Sequence, residues 1–233
     1  MSTTEIHAAV SAKLDAVRTA LASEVKGAGE VCLTCSFQAE DVLLTKLAIE
    51  LDRKIPVLFL DTGYHFRETY EYRDRIARAW DLNLVNLLPA KTVAEQEAEF
   101  GLLYRSAPDR CCKLRKVEPL FKAVAEYRVW ITGLRREQAK SRADLEERAV
   151  FHLPGGTSVL KLAPLTEWTT RDVWYACEQL GIERLPLYDK GYTSIGCEPC
   201  TMLPLDPNDP RSGRWAGRKV ECGIHIEASP QGN

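Results

Sequence analysis

Four short apolar runs constrain what this chain can fold into. Val31-Cys32-Leu33-Thr34-Cys35, Ile55-Pro56-Val57-Leu58-Phe59-Leu60, Leu82-Asn83-Leu84-Val85-Asn86-Leu87-Leu88 and Val129-Trp130-Ile131-Thr132-Gly133 are strand-sized and too short for helices. The segments between them are long enough for crossovers: helices are expected over 42–50, 64–80, from a Thr92 cap to about Phe100, and over 111–127. Ahead of the first run, Ala9, Val10, Leu14, Val17 and Leu21 repeat at helical spacing within 6–25. Parallel strands need a crossover between them, so this alternation predicts an α/β fold: a mostly parallel sheet with helices on both faces. The last third changes character. Runs at 150–153 and 159–162 flank Pro154-Gly155-Gly156-Thr157 and predict a hairpin, and a helix over 171–180 has Thr169 or Thr170 as its cap. From Leu185 onward Pro, Gly and Asp recur and loops are expected. With 233 residues and no long linker, 1–210 reads as one α/β domain and 211–233 as a C-terminal tail, fraying from Glu227.

Eight cysteines suit metal binding or catalysis in a cytosolic chain of this size better than disulfides. Cys111-Cys112 and Cys197-Glu198-Pro199-Cys200 together supply four soft sulfur ligands, which a tetrahedral zinc or an iron–sulfur cluster requires. Adjacent cysteines diverge in direction. A cubane, whose ligands attach to different irons, accommodates that better than a single ion. Cys32 and Cys35 would point to opposite faces of a strand and read as core, and Cys177 lies among apolar helix neighbours. Cys222 stands apart, in Glu221-Cys222-Gly223-Ile224-His225 behind a Pro/Asp/Gly-rich segment. That position gives a nucleophile mobility, and nearby Arg218, Lys219 and His225 would favour its thiolate.

A net charge of −2 gives no general affinity for nucleic acid, and no apolar run approaches a membrane span. The polar start, Met1 to Glu5, lacks the order of a signal peptide, which points to the cytoplasm. Basic residues are nevertheless bunched: Arg105, Arg110, Lys113, Arg115 and Lys116; Arg135, Arg136, Lys140 and Arg142; Arg211, Arg214, Arg218 and Lys219. Each bunch lies beside a cysteine or just past a strand, which argues for a multiply charged anionic substrate, with Lys113 and Arg115 as surface residues flanking the first pair. Ser36-Phe37-Gln38-Ala39-Glu40-Asp41 joins a strand to a helix and would present backbone N–H groups to an anion, though without the glycines of a Walker loop. Asp61-Thr62-Gly63 follows the second run, at the strand end where open α/β sheets bind ligands.

Taken in order, Cys-Cys-Lys-Leu-Arg-Lys-Val-Glu-Pro-Leu from Cys111, Thr-Gly-Leu-Arg-Arg-Glu-Gln from Thr132, Gly-Cys-Glu-Pro-Cys-Thr from Gly196 and Glu-Cys-Gly-Ile-His from Glu221 resemble the assimilatory members of the adenylyl-sulfate/phosphoadenylyl-sulfate reductase family. The resemblance runs roughly from Cys35 to His225. It implies a Rossmann-like fold of the adenine nucleotide alpha-hydrolase type, and reduction of adenosine 5′-phosphosulfate to sulfite and AMP. It implies one 4Fe-4S cluster on Cys111, Cys112, Cys197 and Cys200. The nucleotide would be held by Ser36, Phe37 and Gln38, with Asp61, Thr62 and Gly63 beside the adenosine. Arg135, Arg136, Arg211, Arg214 and His225 would hold the phosphosulfate, and Lys116, one helical turn beyond Cys112, would reach between cluster and substrate. Cys222 would take up the sulfur as S-sulfocysteine, and thioredoxin or a similar dithiol protein would release sulfite. A phosphoadenylyl-sulfate reductase would lack the four cluster cysteines; a zinc-containing nucleotide-activating ligase of this fold would carry a Ser-Gly-Gly-x-Asp-Ser loop instead of the Ser36 turn. No membrane and no nucleic acid partner is implied, and a homo-oligomer is left open.

Overall fold

The four apolar runs are strands, and all four are parallel. The computed structural model describes residues 3–25, 30–219 and 221–225. In chain order these form α1 (Thr3–Glu24), β1 (Val31–Thr34), α2 (Ala39–Leu51), β2 (Val57–Leu60), α3 (Arg67–Trp80), β3 (Leu84–Leu87) and α4 (Val93–Phe100). Short helices α5 (Leu103–Ser106) and α6 (Pro108–Cys112), a π-helical turn (Lys113–Val117) and α7 (Glu118–Val124) lead to β4 (Val129–Ile131), β5 (Arg148–His152), β6 (Ser158–Leu162) and α8 (Thr170–Gln179).

The sheet order is β3-β2-β1-β4-β6-β5, with only the edge strand β5 antiparallel, paired to β6 as the predicted hairpin. Alternation along the strands sorts side chains between two cores. Val31 and Leu33, Val57 and Phe59, and Val129 and Ile131 face the core built with α1, α2, α3 and α8. Cys32, Leu58 and Trp130 face the opposite one, closed by Leu120, Phe121 and Val124 of α7. Burial on both faces is why these strands read as continuous apolar runs. Cys32 and Cys35 duly lie in opposite cores, and Cys177 packs in the larger one.

Helix starts follow from local chemistry. Thr92 opens α4 and Thr169 opens α8, each through a reciprocal capping box with Glu95 and Asp172 respectively, worth about 1 kcal/mol per cap. Lys13 of α1 bonds Asp172 at 2.6 Å and ties α1 to that cap. The helix expected to start at Cys111 starts three residues earlier because Pro108 is preorganised for a first turn.

The chain builds outward from β1 to β2 and β3, then returns to place β4 on the other side of β1. Loops leaving β1 and β4 therefore diverge at their carboxyl ends and leave a crevice, where ligands bind in sheets of this kind. Among the described residues no helix is long and apolar enough to cross a membrane.

Candidate active site

A cavity of about 760 Å³ opens at that crevice, within the range that holds a nucleotide-sized ligand. Ser36, Gln38, Lys116, Arg135, Arg211, Arg214, Cys222 and His225, all expected at the site, line it. Phe37, Asp61, Thr62, Gly63 and Arg136 do not. Phe37 adopts a left-handed φ of 61° and turns its ring into the core, edge-on to Phe59 and Tyr72. That conformation costs energy for a bulky residue, and complete burial holds it. Asp61 accepts from Tyr70 at 2.6 Å and faces Arg73; Arg136 pairs with Glu167 and donates to Leu145 O at 2.8 Å.

The first four amides of the Ser36 turn are already engaged within the protein. Ser36 N and Oγ both donate to Asp41 Oδ2, at 2.8 and 2.5 Å. Phe37 N is spent on Cys35 Sγ, Gln38 N on Ser36 Oγ and Ala39 N on the Tyr188 hydroxyl. The turn instead presents side chains, and Gln38 Oε1 accepts from Ile195 N at 2.8 Å, linking it to the loop before the C-x-x-C. Opposite Asp41 stands Gly133, where a Cβ would lie 2.2 Å from Asp41 Oδ1, so only glycine fits.

Cys111, Cys112, Cys197 and Cys200 line one small pocket beside the cavity, all buried and all free thiols. No three groups among the described residues are drawn close enough for a single ion. The C-x-x-C is pinned to the end of β2: His65 pairs with Cys197, Glu198 N donates to Tyr64 O at 2.7 Å, and Thr62 Oγ1 lies 3.3 Å from Cys197 Sγ. The cysteine pair ends α6, and the π turn that follows widens the helix there, a feature that recurs at functional sites. It directs Arg115 inward, against the expectation of a surface residue. Buried Arg115 donates to Thr62 O at 2.6 Å, Lys91 O at 3.2 Å and Gln96 Oε1 at 3.1 Å. Burial pushes the Cys111 thiol up to about 11 and the Cys200 thiol up to about 12, with neighbouring cysteines adding to both. Four buried thiols around one pocket are a donor set that a thiophilic metal group fits, since binding would release their protons and its positive charge would stabilise the thiolates formed.

Lys116 lines the cavity and the thiol pocket together, as do Arg214 and Trp215. Burial opposes the Lys116 charge, yet Cys197, Cys222 and Cys112 more than offset it and hold the ammonium above its usual range. Arg214 is buried over the Trp215 ring at 4.6 Å and its guanidinium fills the space where Gly196 would carry a Cβ, with its Nε unpartnered. Arg135 is held by Glu137, Trp168 O and Thr170 Oγ1.

Arg211 and Arg214, read from sequence as tail residues, belong to a loop closed by the Thr201–Arg214 bridge. Beyond it Lys219 pairs with Asp109 at 2.5 Å and Arg218 donates to Arg105 O. His225 stacks on Trp130 at 5.5 Å; burial, with Lys161, Arg142 and Arg211 around it, holds it well below the usual histidine range and therefore neutral. The cations whose charge reaches Cys222 are Lys116 and Arg211. The expected fraying from Glu227 lies outside the described residues. Sequence reasoning missed Gln138, Tyr188 and Glu221 as cavity residues, and Arg142 beyond its place in a basic bunch.

Residues 30–203 match the model of the phosphoadenosine phosphosulfate reductase domain. The chain is 43% identical over 196 residues to an adenosine 5′-phosphosulfate reductase of Streptomyces coelicolor, covering 83% of this chain and 81% of that protein. It is 42% identical over 189 residues to one of Mycolicibacterium smegmatis, covering 80% and 79%. The fold matches a phosphoadenylyl-sulfate reductase from Candida auris, solved as a phosphate complex, with a TM-score of 0.70 at 24% identity over 87% of this chain and 98% of that one. Family match, identity along most of the chain and shared fold agree: this chain belongs to the adenylyl-sulfate/phosphoadenylyl-sulfate reductase family.

Proposed function

We propose that this chain reduces adenosine 5′-phosphosulfate to sulfite and AMP in sulfate assimilation, with Cys222 as the nucleophile, a thioredoxin-like dithiol protein as reductant, and one 4Fe-4S cluster on Cys111, Cys112, Cys197 and Cys200. The observation that carries the reading is the position of Lys116: it lines both the thiol pocket and the cavity whose wall includes Cys222. Two anionic bodies side by side, a thiolate-ligated group and a phosphosulfate, repel strongly in a partly desolvated site unless a cation lies between them. Lys116 is that cation. Arg214, in both walls, is a second.

In the proposed reaction the Cys222 thiolate attacks the sulfate sulfur, an S–S bond forms, and the S–O bond to the phosphate breaks. AMP leaves as a weakly basic anion and needs no general acid. Lys116, Arg211 and Arg214 offset charge on the phosphosulfate, and the Ser36–Gln38 turn borders the nucleotide. A thiolate of the dithiol protein then attacks Cys222 Sγ, sulfite departs, and the second thiol resolves the mixed disulfide, so the dithiol supplies both electrons. When bound, the cluster would supply an anionic, polarisable wall behind Lys116. Adjacent Cys111 and Cys112 favour a multi-iron group over a single zinc, because neighbouring sulfurs on one helix diverge. Eight free thiols suit a reducing, cytoplasmic setting.

The test is an anaerobic assay of iron-replete protein with adenosine 5′-phosphosulfate, thioredoxin and excess dithiol, measuring sulfite. Sulfite release that depends on thioredoxin is expected; its absence from protein with full iron content would remove this reading.

A further inference from the structure

Among the described residues no hydrogen bond to the Cys222 side chain accounts for its position, whereas its neighbour Glu221 is held by four. Glu221 Oε1 accepts from Ser141 Oγ at 3.2 Å and from Arg142 Nε at 2.8 Å. Its Oε2 accepts from Arg142 Nη2 at 3.0 Å and from Arg211 Nη2 at 3.2 Å. The Arg142 contact is the two-pronged guanidinium–carboxylate pair, the strongest and most directional of ion pairs. Its partners are nearly shielded, with side chains 11% and 13% exposed, so solvent and salt weaken it little.

The body side of this contact is rigid. Arg142 ends a short helical turn that follows β4, and its remaining Nη1 donates to Gln138 Oε1. Gln138 Oε1 also accepts from Arg135 N at 3.0 Å, while Gln138 Nε2 donates to Glu40 Oε1 at 2.5 Å. Glu40 lies in the first turn of α2, directly after the Ser36 turn. A continuous bonded path thus runs from the turn bordering the cavity through Gln138 and Arg142 to Glu221. Burial alone would raise the Glu221 carboxyl, but Arg142 and Arg211 more than offset it and hold it below the usual carboxylate range. Consecutive Cα atoms are ~3.8 Å apart, so fixing Glu221 fixes the Cys222 backbone within that radius.

We infer that Glu221 is a positioning residue, latching onto Arg142 and Arg211 to hold the Cys222 thiol in the cavity for attack on the substrate sulfur. Arg142 is its principal partner, because it gives two hydrogen bonds to the carboxylate where Arg211 gives one. This rests on the assignment of Cys222 as the nucleophile. A misplacement of about 1 Å at a nucleophile is enough to cost on the order of a hundredfold in rate.

The experiment compares wild type with Glu221→Gln, Arg142→Ala and the double variant, each checked for iron content and melting temperature. Two quantities are read: the alkylation rate of Cys222 by iodoacetamide without substrate, and the rate of the SO₃ adduct on Cys222 at saturating adenosine 5′-phosphosulfate without reductant. Each single variant is expected to be alkylated faster and to form adduct about tenfold slower or worse. The substrate dissociation constant of Glu221→Gln is expected to stay within about threefold of wild type, and the double variant to be no slower than the worse single one. Unchanged alkylation and adduct rates in Glu221→Gln would overturn the latch, as would a loss confined to substrate affinity. Wild type that forms no adduct while Glu221→Gln is still alkylated faster would overturn the nucleophile assignment and leave the latch standing.

Discussion

Thr62 Oγ1 lies 3.3 Å from Cys197 Sγ, although 135 residues separate them in sequence. The contact joins the loop after β2 to the C-x-x-C, and with the His65–Cys197 pairing it brings the second cysteine pair against the first. Assembly of the four thiols is therefore a consequence of the sheet, and the pocket forms only once the parallel strands are in register.

The first prediction concerns the ligand set. Replacing Cys111, Cys112, Cys197 or Cys200 singly with serine is expected to abolish the visible absorption of the purified protein and lower its iron content. Cys177→Ser, in the core away from the pocket, is expected to keep both. Full iron in Cys197→Ser would show that the assignment is wrong.

A second prediction follows from Arg115. Its guanidinium serves three acceptors, on the loop after β2, the loop before α4 and α4 itself, and Tyr64 lies against it at 5.2 Å. Arg115→Met preserves length but leaves Thr62 O, Lys91 O and Gln96 Oε1 without this donor in the interior. A loss of about 3 kcal/mol in unfolding free energy is expected, together with reduced iron retention. Denaturant titration of the apoprotein measures the first; a midpoint equal to wild type would contradict it.

Much of this fold was legible because the strands are buried on both faces and the crossovers are long, so period and length agreed. The capping threonines and the opposed placement of Cys32 and Cys35 follow from the same local rules. Arg115 was not legible. It lies in a basic bunch, and only the π turn, which no residue pattern announces, turns it inward. Phe37 reads as part of a polar turn, and its left-handed backbone, which sends the ring into the core, is imposed by tertiary packing. Arg142 and Glu221 are separated by 79 residues, so their pairing is a fact of three dimensions.

Asp41 carries a third prediction. Burial, then the charge of Glu40, pushes its carboxyl up to about 6, against the hydrogen bonds from Ser36 that favour the ionised form. The folded chain thus keeps this proton to about pH 6, whereas the unfolded chain releases it near 3.8. Stability from this group is present below the lower value and lost as pH rises through the upper one. At pH 7.5 the ionised carboxylate is expected to cost on the order of 1–3 kcal/mol. Asp41→Asn, which keeps an acceptor for Ser36, is expected to melt higher than wild type at pH 7.5 and equally near pH 4. An identical difference at both pH values would contradict the account.

The fourth prediction is substrate choice. Glu40 and Asp41 both border the cavity, and a 3′-phosphate near them would meet like charge. A clear preference for adenosine 5′-phosphosulfate over its 3′-phosphorylated form is expected in kcat/KM. Glu40→Gln is expected to narrow that preference by several-fold through the 3′-phosphorylated substrate alone. Equal specificity constants in wild type would overturn the argument.

The last prediction separates the proposed nucleophile from the four proposed ligands. Cys222 contacts the thiol cluster of Cys112, Cys197 and Cys200, but it also lines the cavity, and it is the one cysteine not buried. A fifth ligand would have no role there, whereas a sulfur that shares the cavity wall with Lys116 has access to a substrate. Cys222→Ser is therefore expected to keep the visible spectrum, the iron and nucleotide affinity while losing sulfite production, because an alcohol at neutral pH does not replace a thiolate. Lys116→Met is expected to slow Cys222 alkylation, because a nearby cation is lost, and also to weaken adenosine 5′-phosphosulfate binding and slow the adduct, since removing the ammonium leaves two anionic bodies unscreened. Sulfite turnover by Cys222→Ser, or adduct recovered on Cys35 or Cys177, would defeat the assignment and require a different electron path to the sulfur.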